Sequence, residues 1–310
     1  MRTVHREVTV LLACPAVMLL LAANPSAQVG GGAPGGTSAS QQRAARLQKE
    51  RTNIELQRSV PPFKMFDNLY YVGVGFVSSW LLTTDQGLIL IDTLDEVHAD
   101  HLIDNIRKVG FDPKDIKYVL ITHAHADHVG AVARIQETYG AKVVMAEGDF
   151  NLFNGIGGAK PEATRAPRRD IVATDGDTVT LGKTVVRLAL HPGHTPGGLS
   201  TGFTVYDGGK PYEAYIFAGA NPGQGLPAVE QFVASVDRLE LMAERVQVRV
   251  VSHPFMDPTF WDRVDRLAAR RPEDPHPFVV TTEFAAWIAE LKQVGIKRLA
   301  DAKAKAASAN

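Results

Sequence analysis

The run "IKYVLITHAHADHVG", residues 116–130, constrains this chain more than any other stretch. Its first half is a short, mostly apolar segment of the kind that forms a strand buried on both faces. Its second half places His123, His125, Asp127 and His128, all able to bind a metal, within six positions. A loop held at its base by a buried strand is free to coil at its tip. Residues at i, i+2, i+4 and i+5 can then converge on one small volume. Neutral imidazole and carboxylate are the ligands a divalent zinc ion takes when thiolate is absent. A cluster of four can give two ligands to each of two neighbouring ions.

Catalytic zinc takes three protein ligands and leaves one position open. Two further ligands are therefore needed from the ends of other strands. "LALHPGHTPGG" offers His191 and His194 after one apolar run, and "VRVVSHPF" offers His253 after another. Six of the ten histidines lie just beyond such a run. His194 sits in a Gly/Pro-rich turn that can bring it inward, whereas His191 reads as a packing or supporting residue. His98 and His101 share a face with Glu96, Asp100 and Asp104 and read as solvated; His276, in "DPHPF", reads as a turn residue.

Around these motifs the chain alternates strands and helices. "NLYYVGVGFVSSWLLTT" is strand material, Asp85–Gly87 a turn, and "LILID" a second strand. "EVHADHLIDNIRKVG" is a helix with Gly110 at its stop. "GAVARIQETYG" is a helix and "AKVVMAE" a strand. "TVVRLAL" is a strand, and two more meet across "YDGGKP". "PAVEQFVASVDRLELMAE" and "PTFWDRVDRLAARR" are helical and flank the strand "VQVRVVSH". A long helix with a basic, solvated tail ends the chain. Helices recurring between strands in both halves predict two mixed sheets covered by helices.

The first 60 residues read differently. Arg2 and Arg6, then "VTVLLACPAVMLLLAA", then Ser26 and Ala27, have the order of a secretory leader spanning residues 1–27. The apolar run contains Pro15 and falls short of the roughly 20 residues a membrane span needs, so no stable anchor is expected. A periplasmic or secreted protein follows. Residues 28–60 comprise a Gly/Ser-rich linker, "QVGGGAPGGTSAS", and a polar helical segment. The folded domain is expected over 61–310. Cys14, the single cysteine, lies inside the leader, so the mature chain has no disulfide and no thiolate ligand. A formal charge of −1 gives no electrostatic case for a nucleic-acid partner.

The loop "ITHAHADHVG" resembles the signature of the metallo-β-lactamase superfamily. The succession "LIDT", "HAHADH", "GHTPGG" and "SHP" follows that family's order of metal-site loops. With Asp127 before His128 and no cysteine ligand, the chain is similar to the third subclass of zinc β-lactamases; "PPFKMFDNLYYVG" and "PHPFV" add to that likeness. The resemblance covers about residues 61–297. It implies a four-layer αββα sandwich with two zinc ions at one edge. His123, His125 and His194 would hold one ion, and Asp127, His128 and His253 the other. Asp92 would orient the histidine loop from behind, and the hydroxyls of Thr122 and Thr195 would fix the loops. One departure stands out. Hydrolases of the glyoxalase-II and lactonase types carry a metal-bridging aspartate in the strand that here reads "AYIFAGAN", and Ala220 occupies its place.

The reaction this implies is hydrolysis of a β-lactam amide by a hydroxide shared between the two ions, with Asp127 and His128 as the catalytic pair. The alternative is a related metallo-hydrolase acting on another ester, lactone or amide. A mononuclear iron oxygenase of the same fold and a non-enzymatic metal-binding module are further readings. The substrate is expected to be a small molecule. Within "EGDFNLFNGIGG", Phe150, Leu152 and Phe153 are candidates for a flap over it, and Asn221 is a candidate hydrogen-bonding partner.

Overall fold

The computed structural model describes residues 60–162 and 164–308. The expected leader, linker and polar segment lie outside these residues, save Val60. Seven strands form one sheet in sequence order: β1 (Phe63–Phe66), β2 (Leu69–Tyr71), β3 (Trp80–Thr84), β4 (Gly87–Ile91), β5 (Ile116–Leu120), β6 (Lys142–Ala146) and β7 (Ile171–Ala173). Strands β1 to β4 pair antiparallel, and β4 to β7 pair parallel. The second sheet has the order β12-β11-β10-β9-β8, built from β8 (Thr178–Leu181), β9 (Thr184–Leu190), β10 (Leu199–Asp207), β11 (Lys210–Ile216) and β12 (Val248–Val250). Only its β11–β12 pair is parallel. Both sheets are mixed, as the alternation of strands and helices predicts.

The two-residue period of a strand explains the layering. In β4, Ile89 and Ile91 point between the sheets, where they meet Trp80, Leu120, Leu188 and Phe203. Leu88 and Leu90 point the other way, onto α1 (Ala99–Lys108) and α3 (Val132–Tyr139) through Leu102, Ile106 and Ile135. A one-turn helix, α2 (Ala126–Val129), precedes α3. The outer face of the second sheet, with Tyr215, receives Phe232 and Val236 of α5 (Leu226–Leu239) and Phe284, Ile288 and Leu291 of α7 (Glu283–Ser308), while α6 (Phe260–Ala268) sets Phe260 into the core between the sheets. The result is a four-layer αββα sandwich. Among the described residues no helix is long and apolar enough to cross a membrane.

Several elements depart from the sequence reading. The aromatic stretch 68–84 is two strands, because the chain doubles back between β2 and β3. Val72 and Val74 donate to the carbonyls of Ser79 and Val77. A Cβ on Gly73 would lie 2.5 Å from the Val77 carbonyl oxygen, so only glycine permits that turn. The stretch 147–158, expected to carry a flap, begins as a helix: α4 (Glu147–Leu152) takes its first half. The strand expected over 246–253 shrinks to β12, which leaves His253 on the irregular segment beyond it.

Candidate metal centre

The cluster His123–His128 begins just past the C-terminal end of β5. It is not a loose loop throughout, because α2 starts at Ala126 with His125 as its cap residue, so Asp127 and His128 ride on a helical turn. That turn is tied down from the neighbouring β4–α1 connection. The Thr93 amide and hydroxyl both donate to the His128 carbonyl, at 2.7 and 3.1 Å, and the Gly130 amide donates to the Leu94 carbonyl at 2.8 Å. A Cβ on Gly130 would lie 2.4 Å from Asp95 Cα, so the two segments touch through a glycine. Asp92 and Leu94 take left-handed backbone angles, φ 62° and 59°. Such conformations cost roughly 1 kcal/mol or more each for non-glycine residues and gather at functional sites.

That strain aims Asp92 under the cluster. Its carboxylate accepts the Thr122 amide (2.8 Å), the Thr122 hydroxyl (2.7 Å) and His128 Nδ1 (2.8 Å). Three bonds thus tie Asp92 to Thr122 and His128. Because the Thr122 hydroxyl donates to Asp92, it is left to accept from His123 Nδ1 at 3.0 Å. His194 and His253, each beyond a strand of the second sheet, follow the same rule. His194 Nδ1 lies 2.6 Å from the Asn221 carbonyl and His253 Nδ1 lies 3.1 Å from the Phe76 carbonyl. A histidine whose Nδ1–H is given to an oxygen presents an unprotonated Nε2. Four imidazoles are thus set with Nε2 facing inward.

They face one another. Ligand atoms of His123, His125 and His194 lie within 4.8 Å of each other, and so do those of Asp127, His128 and His253. The six residues predicted from sequence form these two triads, one sheet supplying four and the other two. His123 Nε2 is buried and has no hydrogen-bond partner. His128 Nε2 and His253 Nε2 approach to 3.0 Å. Two unprotonated nitrogens at that distance repel unless a proton or a cation lies between them. These observations fit a pair of metal positions.

The charges of the imidazoles agree. Burial first, then the neighbouring imidazoles, hold His123 well below the ordinary histidine value. Burial and His125 bring His194 down to about 4, and burial and His128 bring His253 down to about 4. All three are neutral at pH 7 and ready to ligate. His128 moves the other way: burial opposes its charge, but the Asp92 and Asp127 carboxylates outweigh it and raise its value.

A further carboxylate was not anticipated. Asp149, in α4, is buried and accepts the Ala124 amide (2.9 Å), the Thr195 hydroxyl (3.0 Å) and the Gly197 amide (2.9 Å). It fastens the first histidine loop to the His194 loop, and burial pushes its carboxyl up to about 6. The Thr195 hydroxyl is tied into this arrangement through Asp149. A lone acid within "EGDF" carries no sequence signal for such a role. Gly219 is a second unannounced support, since a Cβ there would lie 2.3 Å from the ring of His194.

Other expectations fail. Phe150 is 3% exposed, packs in the core beneath the first sheet, and has Arg169 over its ring. Phe153 packs on that core too, so neither is a flap over the centre. Helix α4 turns them inward; an apolar residue beside a glycine-rich tip reads the same in sequence either way. His128 is fully buried, with Nδ1 on Asp92 and Nε2 against His253, and so is closed to contact with a substrate. His98 and His101 are half-buried and bonded to Asp95 and Asn105, not solvated. His276 is buried, stacked on Phe66 and bonded to the Met65 carbonyl. His191 stays outside the triads and bonds Ser200, a supporting position as read.

The centre opens into a cleft of about 210 Å³ whose far wall includes Phe76, Phe217, Phe255, Met256 and Trp287. Ala220 and Asn221 line the same cleft. Beyond His125 and His194 lies a larger groove of about 930 Å³, walled by Leu152, residues 157–162, Gln224 and Gln231.

Fold and centre together define a metallo-hydrolase scaffold. Residues 72–207 match the family model of the metallo-beta-lactamase superfamily. Across 81% of this chain and 97% of the other, the structure is similar to BJP-1, a subclass B3 metallo-beta-lactamase of Bradyrhizobium japonicum, with 32% identity and a TM-score of 0.72. The FEZ-1 metallo-beta-lactamase from Legionella gormanii is similar over 80% of this chain and 98% of its own, with 28% identity and a TM-score of 0.71. The chain belongs to the metallo-beta-lactamase superfamily. Among curated sequences, a hydroxyacylglutathione hydrolase of Chelativorans sp. is 30% identical over 39% of this chain and 41% of its own length. The chain spans about half the length of the curated relatives it matches.

Proposed function

We propose that this protein is a dinuclear zinc hydrolase that opens the amide of β-lactams, acting in the periplasm or outside the cell. The observation that carries the reading is the pair of complete ligand triads opening into one cleft. His123, His125 and His194 would hold one zinc ion and Asp127, His128 and His253 the other. Zinc held there supplies Lewis acidity and water activated near neutral pH. The chain's own groups do the rest. Asp127 is the carboxylate of the triads and lines the cleft; the burial that would raise its value is overcome by His128 and His253, which keep it an acceptor. It would orient a water by accepting a hydrogen bond from it. Asp92 and the Phe76 and Asn221 carbonyls hold the imidazole orientations, and the aromatic wall excludes bulk water.

Ala220 supports the β-lactam reading, because its methyl cannot ligate where related ester and lactone hydrolases place an aspartate. The likeness to a subclass B3 metallo-beta-lactamase and to a second metallo-beta-lactamase, each over about four-fifths of the chain, points the same way. A second reading, hydrolysis of a thioester or ester, draws on the hydroxyacylglutathione hydrolase relative and its shorter match. Zinc-loaded protein is expected to turn over a chromogenic cephalosporin, and a chelator to abolish that turnover. Turnover of thioesters or lactones with no β-lactam cleaved would move the assignment to the second reading.

A further inference from the structure

Resting on that reading, we propose that the wall of the cleft beside His253 is a subsite for a neutral substituent of phenyl size on the substrate. Phe76 and Phe255 stack with ring centroids 5.4 Å apart, and their rings lie 5.2 and 4.9 Å from that of His253. Phe255 is 52% exposed at this position, a large apolar surface left open to water beside the metal centre. Trp287 faces the cleft from α7, packed edge-on against Phe217 at 5.8 Å. Met256 completes the wall with an adaptable thioether.

The polar groups in and behind this wall are already engaged. Arg249 directs Nε and Nη2 to Glu283 Oε1, at 2.9 and 2.8 Å, and lies 3.6 Å from Asp257. Its side chain is 7% exposed, and its guanidinium lies over the Trp287 ring at 5.2 Å. Arg263 pairs with the same two carboxylates, so the cluster of two cations and two anions is neutral. The Ser252 hydroxyl is given to the Phe217 carbonyl at 3.3 Å. Asp127, the one carboxylate among the residues lining the cleft, is committed to the second triad. A charged substituent against this wall therefore loses its water and finds no uncommitted counter-charge, whereas an aryl or alkyl group needs none. The cleft's volume of about 210 Å³ is shared between the metal centre and this wall, so the wall has room for a single ring and not for a larger group. The groove on the other side of His125 and His194 contrasts with it. There Lys160 has no ion-pair partner among the described residues, and Gln224 and Gln231 add amides. Polar parts of the substrate belong on that side.

The test compares two penicillins whose side chains differ by one charge, benzyl and the same benzyl carrying an ammonium group. The metal-loaded enzyme is expected to favour the neutral one about tenfold or more in kcat/KM, the discrimination typical of apolar pockets. Phe255→Ala, at a half-exposed position, is expected to reduce that preference at least about threefold, chiefly through KM. Equal kcat/KM for the two, or a preference untouched by Phe255→Ala and by Trp287→Leu, would overturn the subsite. A second measurement needs no turnover: N-benzylacetamide added to the metal-loaded protein should give a saturable change in tryptophan emission. That change should vanish in Trp287→Phe, and benzylamine should not produce it. Binding of the neutral probe without cleavage of any β-lactam would keep the subsite and remove the substrate assignment. β-Lactam turnover with no probe binding and no side-chain preference would do the reverse.

Discussion

The two triads share a loop and differ in charge. His123, His125 and His194 are three imidazoles, with no carboxylate among them, and burial lowers the value of each. Asp127, His128 and His253 include a carboxylate, and Asp92 stands directly behind His128. A dication in the first triad meets only neutral ligands; in the second it meets Asp127 and a partly compensated His128. The supports differ as well. The first triad is braced by Thr122, Asn221, Asp149 and Gly219, the second by Asp92 and the Phe76 carbonyl. Adjacent positions can therefore be disturbed one at a time, although four of the six ligands are neighbours in the chain.

His253→Ala should break this comparison most severely. It removes a ligand from the second triad alone, so metal content should fall from two to one per chain. Activity should drop beyond the roughly 100-fold seen when only a supporting partner is lost. Metal analysis and steady-state kinetics check it; two ions retained would show that the triads are not separate positions. Gly219→Ala should act on the other triad. Its methyl would displace the His194 ring, so one ion should again be lost, now with Asp127, His128 and His253 intact. Asp92→Asn and Asp149→Asn come next, each expected to cost about 10- to 100-fold in metal affinity or turnover. Asp92→Asn should weaken the second triad more, and Asp149→Asn the first, in competition titrations with a metal-sensitive dye.

Proton effects are the smallest and the most specific. In chelator-treated protein, His194 and His253 titrate near 4, below the ordinary value of about 6.5. As pH falls between those values the unfolded chain binds protons that the folded chain refuses, so stability is lost. Asp149 has the opposite sign: the folded chain protonates it near 6, the unfolded chain only near 3.9, so acidification favours the fold through this group. The melting temperature should therefore fall between pH 6.5 and 4, and fall more steeply in Asp149→Asn. An unchanged slope in that variant would refute the sign assigned to Asp149.

The legible part of the centre was the part written by strand ends. His123, His125, Asp127 and His128 are local in the chain, and His194, His253 and Asp92 each follow an apolar run that had to be a strand. Asp149 was not legible because its three partners come from two loops that only the folded chain brings beside α4. Phe150 misled because hydrophobicity marks burial without saying whether core or ligand does the burying. The cleft's wall drew no attention for the same reason: Phe76, Phe217, Phe255 and Trp287 come from four distant segments, none with a motif.

The residue order alone determined that a buried strand must deliver a dense set of metal ligands to one sheet edge, since only a pinned loop can converge side chains so close in sequence. It also pointed to two mixed sheets covered by helices, through the helices that recur between strands; the four-layer αββα order was what the family resemblance implied. The tertiary structure alone decided which side chains face the cleft and which lie behind it. That choice depends on distances between segments far apart in the chain, on a shortage of space at Gly130 and Gly219, and on a left-handed backbone at Asp92, none of which a linear pattern records.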